Sequence, residues 1–321
     1  MKLIALPYRP RDTFPNLGTR FRKLMERVSF AQAALPRLLA GGYDAVVVNK
    51  PYDFPALWRA RRSGMKAVTA VRSGGTEFYW GDRFFARAVD LWLSTSRYNA
   101  DQVEGRYRHL VTVVPNGVDP ERFHPTRCSA GTRAAIGVPA EAPLIVSTGR
   151  LVGWKGLHLI LRALPTLVGA HYLVIGEGEA RPGLEALARE LGVADRVHFT
   201  GEVSHGRLPD LLASGDVFVQ PSVGEEAFGI SVVEAMASGL PTLVSNQGGL
   251  REIVQNGVTG GLLSVGDAAA WQIALQEHLA NLSRCHSMGK AARARVLEHY
   301  TWAGNAQRLT ELIAGAVSAR S

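Results

Sequence analysis

The chain has 321 residues, 46% of them hydrophobic and 20% charged, which excludes a disordered or fibrous protein and leaves room for two α/β domains of roughly 100–200 residues. The net charge of +8 is uneven, with 20 Lys+Arg against 11 Asp+Glu in residues 1–125 and 16 against 17 in residues 126–321. A one-sided positive field attracts anionic lipid, a polyprenyl-phosphate carrier or nucleic acid; a blander source of the excess is arginine-rich codon usage, since 30 of the 36 basic residues are arginine.

The apolar run at Lys2–Leu6 is broken by Pro7 and followed by Arg9 and Arg11, so it reads as a first strand and not as a signal segment. Further strands are expected at Ala45–Asn49, Ala67–Val71, Leu91–Ser94 and Val111–Val114, with helices filling the intervals, among them Phe21–Ala40 before Gly41-Gly42 and Ala56–Arg62 before Gly64. Pro115-Asn116-Gly117 and the aperiodic stretch to Pro125 read as an interdomain link. A second strand series is predicted at Leu144–Thr148, His171–Ile175, Val197–Thr200, Val217–Gln220, Pro241–Ser245 and Gly260–Leu263. Helices are expected at Leu157–Leu164, Pro182–Leu191, Arg207–Ala213, Ile230–Ser238, Asp267–Leu282 and Trp302–Ala314. Such alternation is the pattern of parallel sheets covered by helices. The expected division is an N-terminal domain over residues 1–120, onto which a last helix within 303–321 packs back, and a C-terminal domain over 121–302. Cys128 and Cys285 lack metal-ligand spacing and fit a reducing compartment. No run reaches the roughly 18 apolar residues that span a bilayer, so membrane contact is expected to be peripheral.

In open parallel sheets ligands bind beyond the carboxyl ends of the strands. After Leu144–Thr148, Arg150 and Lys155 stand in a glycine-punctuated loop, where two cations and free backbone N–H groups suit a diphosphate; an ordinary basic loop reads the same way. Glu177 lies between glycines after the next strand, and Val203 follows Gly201-Glu202 after the one beyond; both loops are suited to a planar ligand, weakly. Pro221 to Gly229 leads into the helix from Ile230 and places Glu226 before it and Glu234 inside it. There the amides of Phe228 and Gly229 meet the positive end of the helix dipole, and a carboxylate can accept two bonds from a vicinal diol. A helical glutamate such as Glu234, taken alone, more often belongs to a solvated face.

Taken as a set, these segments resemble the family 4 glycosyltransferases. PSVGEEAFGISVVEAMASGLP (221–241) resembles their Glu-x7-Glu signature, with Glu226 and Glu234 as the acids. VSTGRLVGWKG (146–156), VVPNGVDPERFHP (113–125), SNQGGLREIVQNGVTGGLL (245–263) and YTW (300–302) follow the family's order, and the likeness is strong from about residue 89 to 303. The resemblance implies a GT-B fold: two Rossmann-like α/β domains with parallel sheets facing a cleft. It implies a retaining transferase that moves a sugar from a nucleotide-sugar donor to a cell-envelope glycan or lipid-linked acceptor. Arg150 and Lys155 would bind the diphosphate and act in catalysis with Glu226. Glu234 would hold the ribose; Phe228, Gly229 and Ile230 the sugar end; Glu177 and Val203 the base; and Gly18 the donor from the first domain. Departing phosphate takes the acceptor proton in such enzymes, so no protein nucleophile, cofactor or metal is expected, and the chain has no Asp-x-Asp.

Two departures stand out. The loop from Pro7 to Thr19 supplies only Gly18 where a paired glycine is common, and Val71 is followed by Arg72-Ser73-Gly74-Gly75-Thr76-Glu77 where a histidine is frequent. A second reading is therefore a non-catalytic GT-B scaffold that binds a nucleotide sugar or glycan as a regulatory partner. A nicotinamide oxidoreductase lacks its G-x-G-x-x-G, and a nucleic-acid partner lacks any reading motif. The expected location is cytoplasmic or peripheral on the inner face of the membrane, with Arg9 to Arg27 and its Phe14, Phe21 and Phe30 as the contact segment.

Overall fold

A computed structural model describes residues 6–75 and 77–320; the expected strand Lys2–Leu6 lies outside the described residues except for Leu6. Contacts divide the chain into two compact units, Met1–Pro115 with Ala306–Ser321, and Asn116–Asn305.

The first unit carries α1 (Thr19–Ala40), β1 (Ala45–Val48), α2 (Phe54–Arg62), β2 (Val68–Ser73), α3 (Asp82–Phe85), β3 (Leu91–Ser94), α4 (Arg97–Tyr107) and β4 (Thr112–Val113). Its parallel sheet runs β1-β2-β3-β4. Phe54, Leu57, Val71, Trp92 and Tyr107 fill the core, with Phe54 edge-on to Trp92 at 5.7 Å. Asp82 is fully buried, and it survives there because the Arg106 guanidinium (2.6 Å) and the Tyr107 hydroxyl (2.8 Å) both donate to it, tying α3 to α4.

The second unit continues with α5 (Ala130–Ala135), β5 (Leu144–Thr148), α6 (Leu157–Ala163), β6 (His171–Ile175), α7 (Arg181–Glu190), β7 (Val197–Gly201) and α8 (Leu208–Ala213). It then adds β8 (Val217–Gln220), α9 (Ile230–Ala237), β9 (Thr242–Ser245), α10 (Leu250–Ile253), β10 (Gly260–Leu263), α11 (Ala268–Leu279) and α12 (Leu282–His299); α13 (Trp302–Ser318) follows. All six strands are parallel, in the order β10-β9-β8-β5-β6-β7. Leu144, Val146 and Phe218 face one apolar layer while Ile145, Val217 and Val219 face the other, so the strands are buried on both sides, as continuous apolar runs require. From β5 the chain winds outward through β6 and β7, then returns to the other side of β5 with β8. The crevice beyond the ends of β5 and β8 is thus the topological switch point.

Three local readings change. Residues 116–125 are not a loose link: Val118 pairs with Tyr300 and Trp302 through backbone bonds of 2.8 and 3.1 Å, Phe123 is buried, and Arg293 donates to the carbonyls of Pro120, Phe123 and Ala237. The division therefore falls after Pro115. The helix expected over Asp267–Leu282 stops at Leu279, because the Asn281 side chain accepts the Arg284 amide at 3.0 Å and starts α12. The strand expected over Val111–Val114 pairs only at Thr112–Val113.

Trp271 is wholly enclosed between α11 and the sheet. Trp271→Ala should lower the stability of the second unit by about 3–5 kcal/mol, measured as a lower urea midpoint; an unchanged midpoint would show that the layer is not packed as described.

Candidate active site

The switch point gathers residues from loops far apart in sequence. Lys155 Nζ lies 2.5 Å from Glu226 Oε1, an ion pair whose side chains are only 17% and 13% exposed. The same oxygen accepts Gln220 Nε2 at 2.8 Å and Ser222 Oγ at 3.0 Å. Ser231 at the start of α9 donates to Gln220 Oε1 at 2.6 Å and so orients that amide. Largely dry ion pairs persist only when further hydrogen bonds offset lost hydration, and Gln220 and Ser222 supply them. The amides of Val223 and Gly224 bond the Trp154 carbonyl at 2.8 and 3.1 Å, and Gln247 Nε2 bonds the carbonyls of Ser222 and Gly224, which fixes the loop around Glu226. Close backbone approach makes this possible. Gly156 has φ 70°, and a Cβ there would overlap the Pro221 carbonyl oxygen.

Arg150 is exposed, and its guanidinium has no partner among the described residues. A pocket lined by Thr148, Gly149, Arg150, Lys155, Gln220 and Pro221 lies beside it. One cation is thus unpaired among the described residues and the other is paired with Glu226.

Beyond Glu226 the chain turns into α9. Phe228 buries its ring edge-on to Tyr300 at 6.0 Å, so only its backbone faces the site. The amides of Phe228, Gly229 and Ile230 have no acceptor among the described residues and stand at the positive end of the helix. One turn further, Glu234 is half-buried, and its carboxyl has no hydrogen-bond partner among the described residues. Burial pushes its pKa up to about 7, with Arg122 pulling the other way.

Glu177 stands beside this group through its backbone: the Leu151 amide bonds its carbonyl at 2.8 Å, and a Cβ on the next residue, Gly178, would overlap the Leu151 carbonyl oxygen. Its side chain is exposed and pairs with Arg181 at 2.5 Å, which, with the Gly178 amide, holds the carboxyl below the usual range. Val203 follows β7 and packs against the core. Since β8, β5, β6 and β7 are consecutive neighbours, their loops form one row from Glu226 to Val203. Gly18 belongs to the first unit, where it precedes α1 with φ 99°.

In that unit the loop after β2 has Arg72 where a histidine is frequent. The Arg72 guanidinium donates to the carbonyls of Val114 (3.2 Å) and Pro115 (2.8 Å), and burial lowers its pKa. Glu77 bridges Lys50 (3.2 Å) and Lys23 (3.3 Å). Sequence reasoning missed Gln220, Ser222 and Gln247 as supports for the Glu226 loop. The signal available for the first two was their position at the carboxyl end of a strand; Gln247 gave none.

The family profile described as "Glycosyl transferases group 1" matches residues 131–295, and "Glycosyltransferase Family 4" matches residues 5–122. A GDP-mannose-dependent alpha-(1-6)-phosphatidylinositol monomannoside mannosyltransferase of Mycobacterium tuberculosis is 30% identical over 334 residues, covering 95% of this chain and 81% of that protein. A D-inositol 3-phosphate glycosyltransferase of Streptomyces avermitilis is 32% identical over 255 residues, covering 74% of this chain and 54% of that protein. Among solved structures, sucrose-phosphate synthase from Thermosynechococcus elongatus superposes with a TM-score of 0.84 at 24% identity, covering 98% of this chain and 83% of that one. Anabaena HepE in complex with UDP gives 0.77 at 22%, covering 90% and 82%.

Glu234 makes a pH prediction. With a folded pKa near 7 against 4.5, the folded state holds more protons than the unfolded one between those values. Its contribution is therefore full below about pH 4.5 and is lost as pH rises through 7. Urea unfolding of the second unit should weaken from pH 5 to 8 by on the order of 3 kcal/mol from this group, and Glu234→Gln should remove that part of the slope. An identical slope in the variant would refute the raised pKa.

Proposed function

Since the chain belongs to glycosyltransferase family 4 and is a hexosyltransferase of the GT-B fold, we propose that it moves a sugar from a nucleoside-diphosphate donor to a cell-envelope glycan or lipid-linked acceptor, retaining the anomeric configuration without a metal ion. The observation that carries this is the Lys155–Glu226 pair set beside the unpartnered Arg150 at the switch point. An arriving diphosphate competes with Glu226 for Lys155 and finds Arg150 ready. Lys155 then neutralises phosphate charge, and Glu226, still oriented by Gln220 and Ser222, accepts hydroxyls of the sugar.

The amides of Phe228, Gly229 and Ile230 donate to the same end of the donor, Glu234 takes the ribose hydroxyls, and the Glu177 and Val203 loops flank the base. In the transfer step the acceptor oxygen bonds to the anomeric carbon on the face from which the phosphate leaves, while the departing phosphate oxygen takes the acceptor proton. Arg150 and Lys155 stabilise charge building on the leaving group, a task a preorganised pair performs without reorganisation. Absence of an Asp-x-Asp in the sequence supports metal independence. The names of the relatives, a GDP-mannose-dependent enzyme acting on phosphatidylinositol monomannoside and an inositol 3-phosphate glycosyltransferase, favour GDP-mannose as first donor and an inositol-phosphate or lipid acceptor. The work is assigned to the cytoplasmic side of the membrane.

Calorimetry with GDP, UDP, ADP and their sugar conjugates should show one nucleotide family binding, with the affinity falling at least about tenfold in Arg150→Ala, the loss of one charge-assisted contact to phosphate. Lys155→Ala and Glu226→Ala should each cut transfer by about 10²-fold or more, with EDTA leaving the wild-type rate unchanged. Near-normal transfer in both variants, or a chelation loss restored by a divalent ion, would remove the corresponding assignment.

A further inference from the structure

Two basic, aromatic segments of the first unit compete as contact surfaces, and their ion pairs separate them. Along Arg9 to Arg27 the cations are largely answered: Arg11 pairs with Glu26 at 3.3 Å, Arg22 with Asp12 at 4.0 Å, Lys23 with Glu77 at 3.3 Å and Arg27 with Asp53 at 3.6 Å. Phe14 is buried beneath Arg9. Among the described side chains of that segment this leaves Arg9 without an acid, and Arg9 lies over a ring.

The surface of α2 and α3 is different. Trp58 contacts Phe84 and Phe85 at ring-centroid distances of 5.6 and 5.7 Å. Arg62 lies over Trp58 at 4.9 Å, and Arg87 over Phe84 at 5.6 Å. Arg59, Arg62, Arg83 and Arg87 are all exposed, and none has a carboxylate partner among the described residues. In the turn leading into α3, Trp80 is 97% exposed, and Phe84 is 48% exposed. Trp80 and Phe84 thus add bare aromatic surface beside the four arginines.

We infer that this α2–α3 surface docks on an anionic phospholipid bilayer, with Trp80 and Phe84 entering the headgroup boundary and the arginines meeting lipid phosphates. Charge complementarity selects an anionic partner. The projecting Trp80 selects a fluid one, since a bilayer deforms around a protruding ring, and indole belongs at the headgroup level. Arginines laid over rings keep their planar forks free for phosphate while their stems cover apolar surface. The inference rests on the lipid-linked-acceptor reading only for its purpose, that of bringing the enzyme to its acceptor.

The test is co-sedimentation of the full chain with vesicles of phosphatidylcholine alone and of phosphatidylcholine with phosphatidylglycerol, with donor binding by calorimetry and far-UV circular dichroism as fold controls. Wild type should partition onto the anionic vesicles and not the neutral ones. At about fivefold per basic residue, Arg62→Glu/Arg87→Glu should lower the partition by roughly 25-fold or more, and Trp80→Ser/Phe84→Ser should weaken it and abolish the vesicle-induced blue shift of tryptophan emission. Arg11→Glu/Arg22→Glu should bind as wild type does.

Absence of binding to either vesicle, equal binding by all variants, or a loss confined to Arg11→Glu/Arg22→Glu would each overturn the assignment. So would a dimer in light scattering that the Trp80→Ser/Phe84→Ser variant dissolves, because a second copy would then cover the patch. Vesicle binding requires no sugar transfer, so its failure with donor binding intact speaks against this surface alone.

Discussion

The ion pair between Lys155 and Glu226 is the interaction on which the rest of the second unit's chemistry depends. It joins two loops separated by 71 positions in the chain, and it exists because β5 and β8 are neighbours although β6 and β7 lie between them in sequence. The pair also settles an electrostatic difficulty. Two neighbouring cations repel each other, whereas here Lys155 is neutralised by Glu226, and Arg150 has no partner among the described residues. Gln220 and Ser222 donate to the same carboxylate oxygen, so its position does not rest on the lysine alone.

Glu234 plays against that pair. Glu226 is stabilised by donors and a cation, while Glu234 sits half-buried in α9 with its carboxyl unbonded among the described residues, and loss of hydration pushes its pKa up to about 7. Binding a vicinal diol would supply the missing hydrogen bonds. Two acids eight positions apart thus have opposite environments, one on the loop that crosses to β5 and one on the helix that packs the core.

In the first unit, total charge conceals its own distribution. The basic excess of residues 1–125 is partly spent in pairs along α1 and at Glu77, and stays free where α2 and α3 carry aromatics. Composition pointed to the α1 segment because aromatic and basic residues alternate there. Folding brought Asp53 and Glu77 to it from outside the segment, neither of which a linear count associates with those cations.

Much was legible in the residues. The strands Leu144–Thr148, His171–Ile175, Val217–Gln220 and Gly260–Leu263 have the bounds that their apolar runs and flanking turn residues indicate, because burial on both faces leaves a local mark. The positions of Arg150, Lys155, Glu226 and Glu234 beyond strand ends were readable for the same reason. Strand order was not, and with it went the pairing of Lys155 with Glu226 and the parts played by Gln220, Ser222 and Gln247. The fate of residues 116–125 also lay outside local pattern, since Arg293, 170 positions from Phe123, holds them to the second unit. Sequence by itself determined the elements and the chemical groups, which depend on neighbours along the chain; tertiary structure alone decided which groups meet, because partners across a parallel sheet are chosen by the order in which strands return to it.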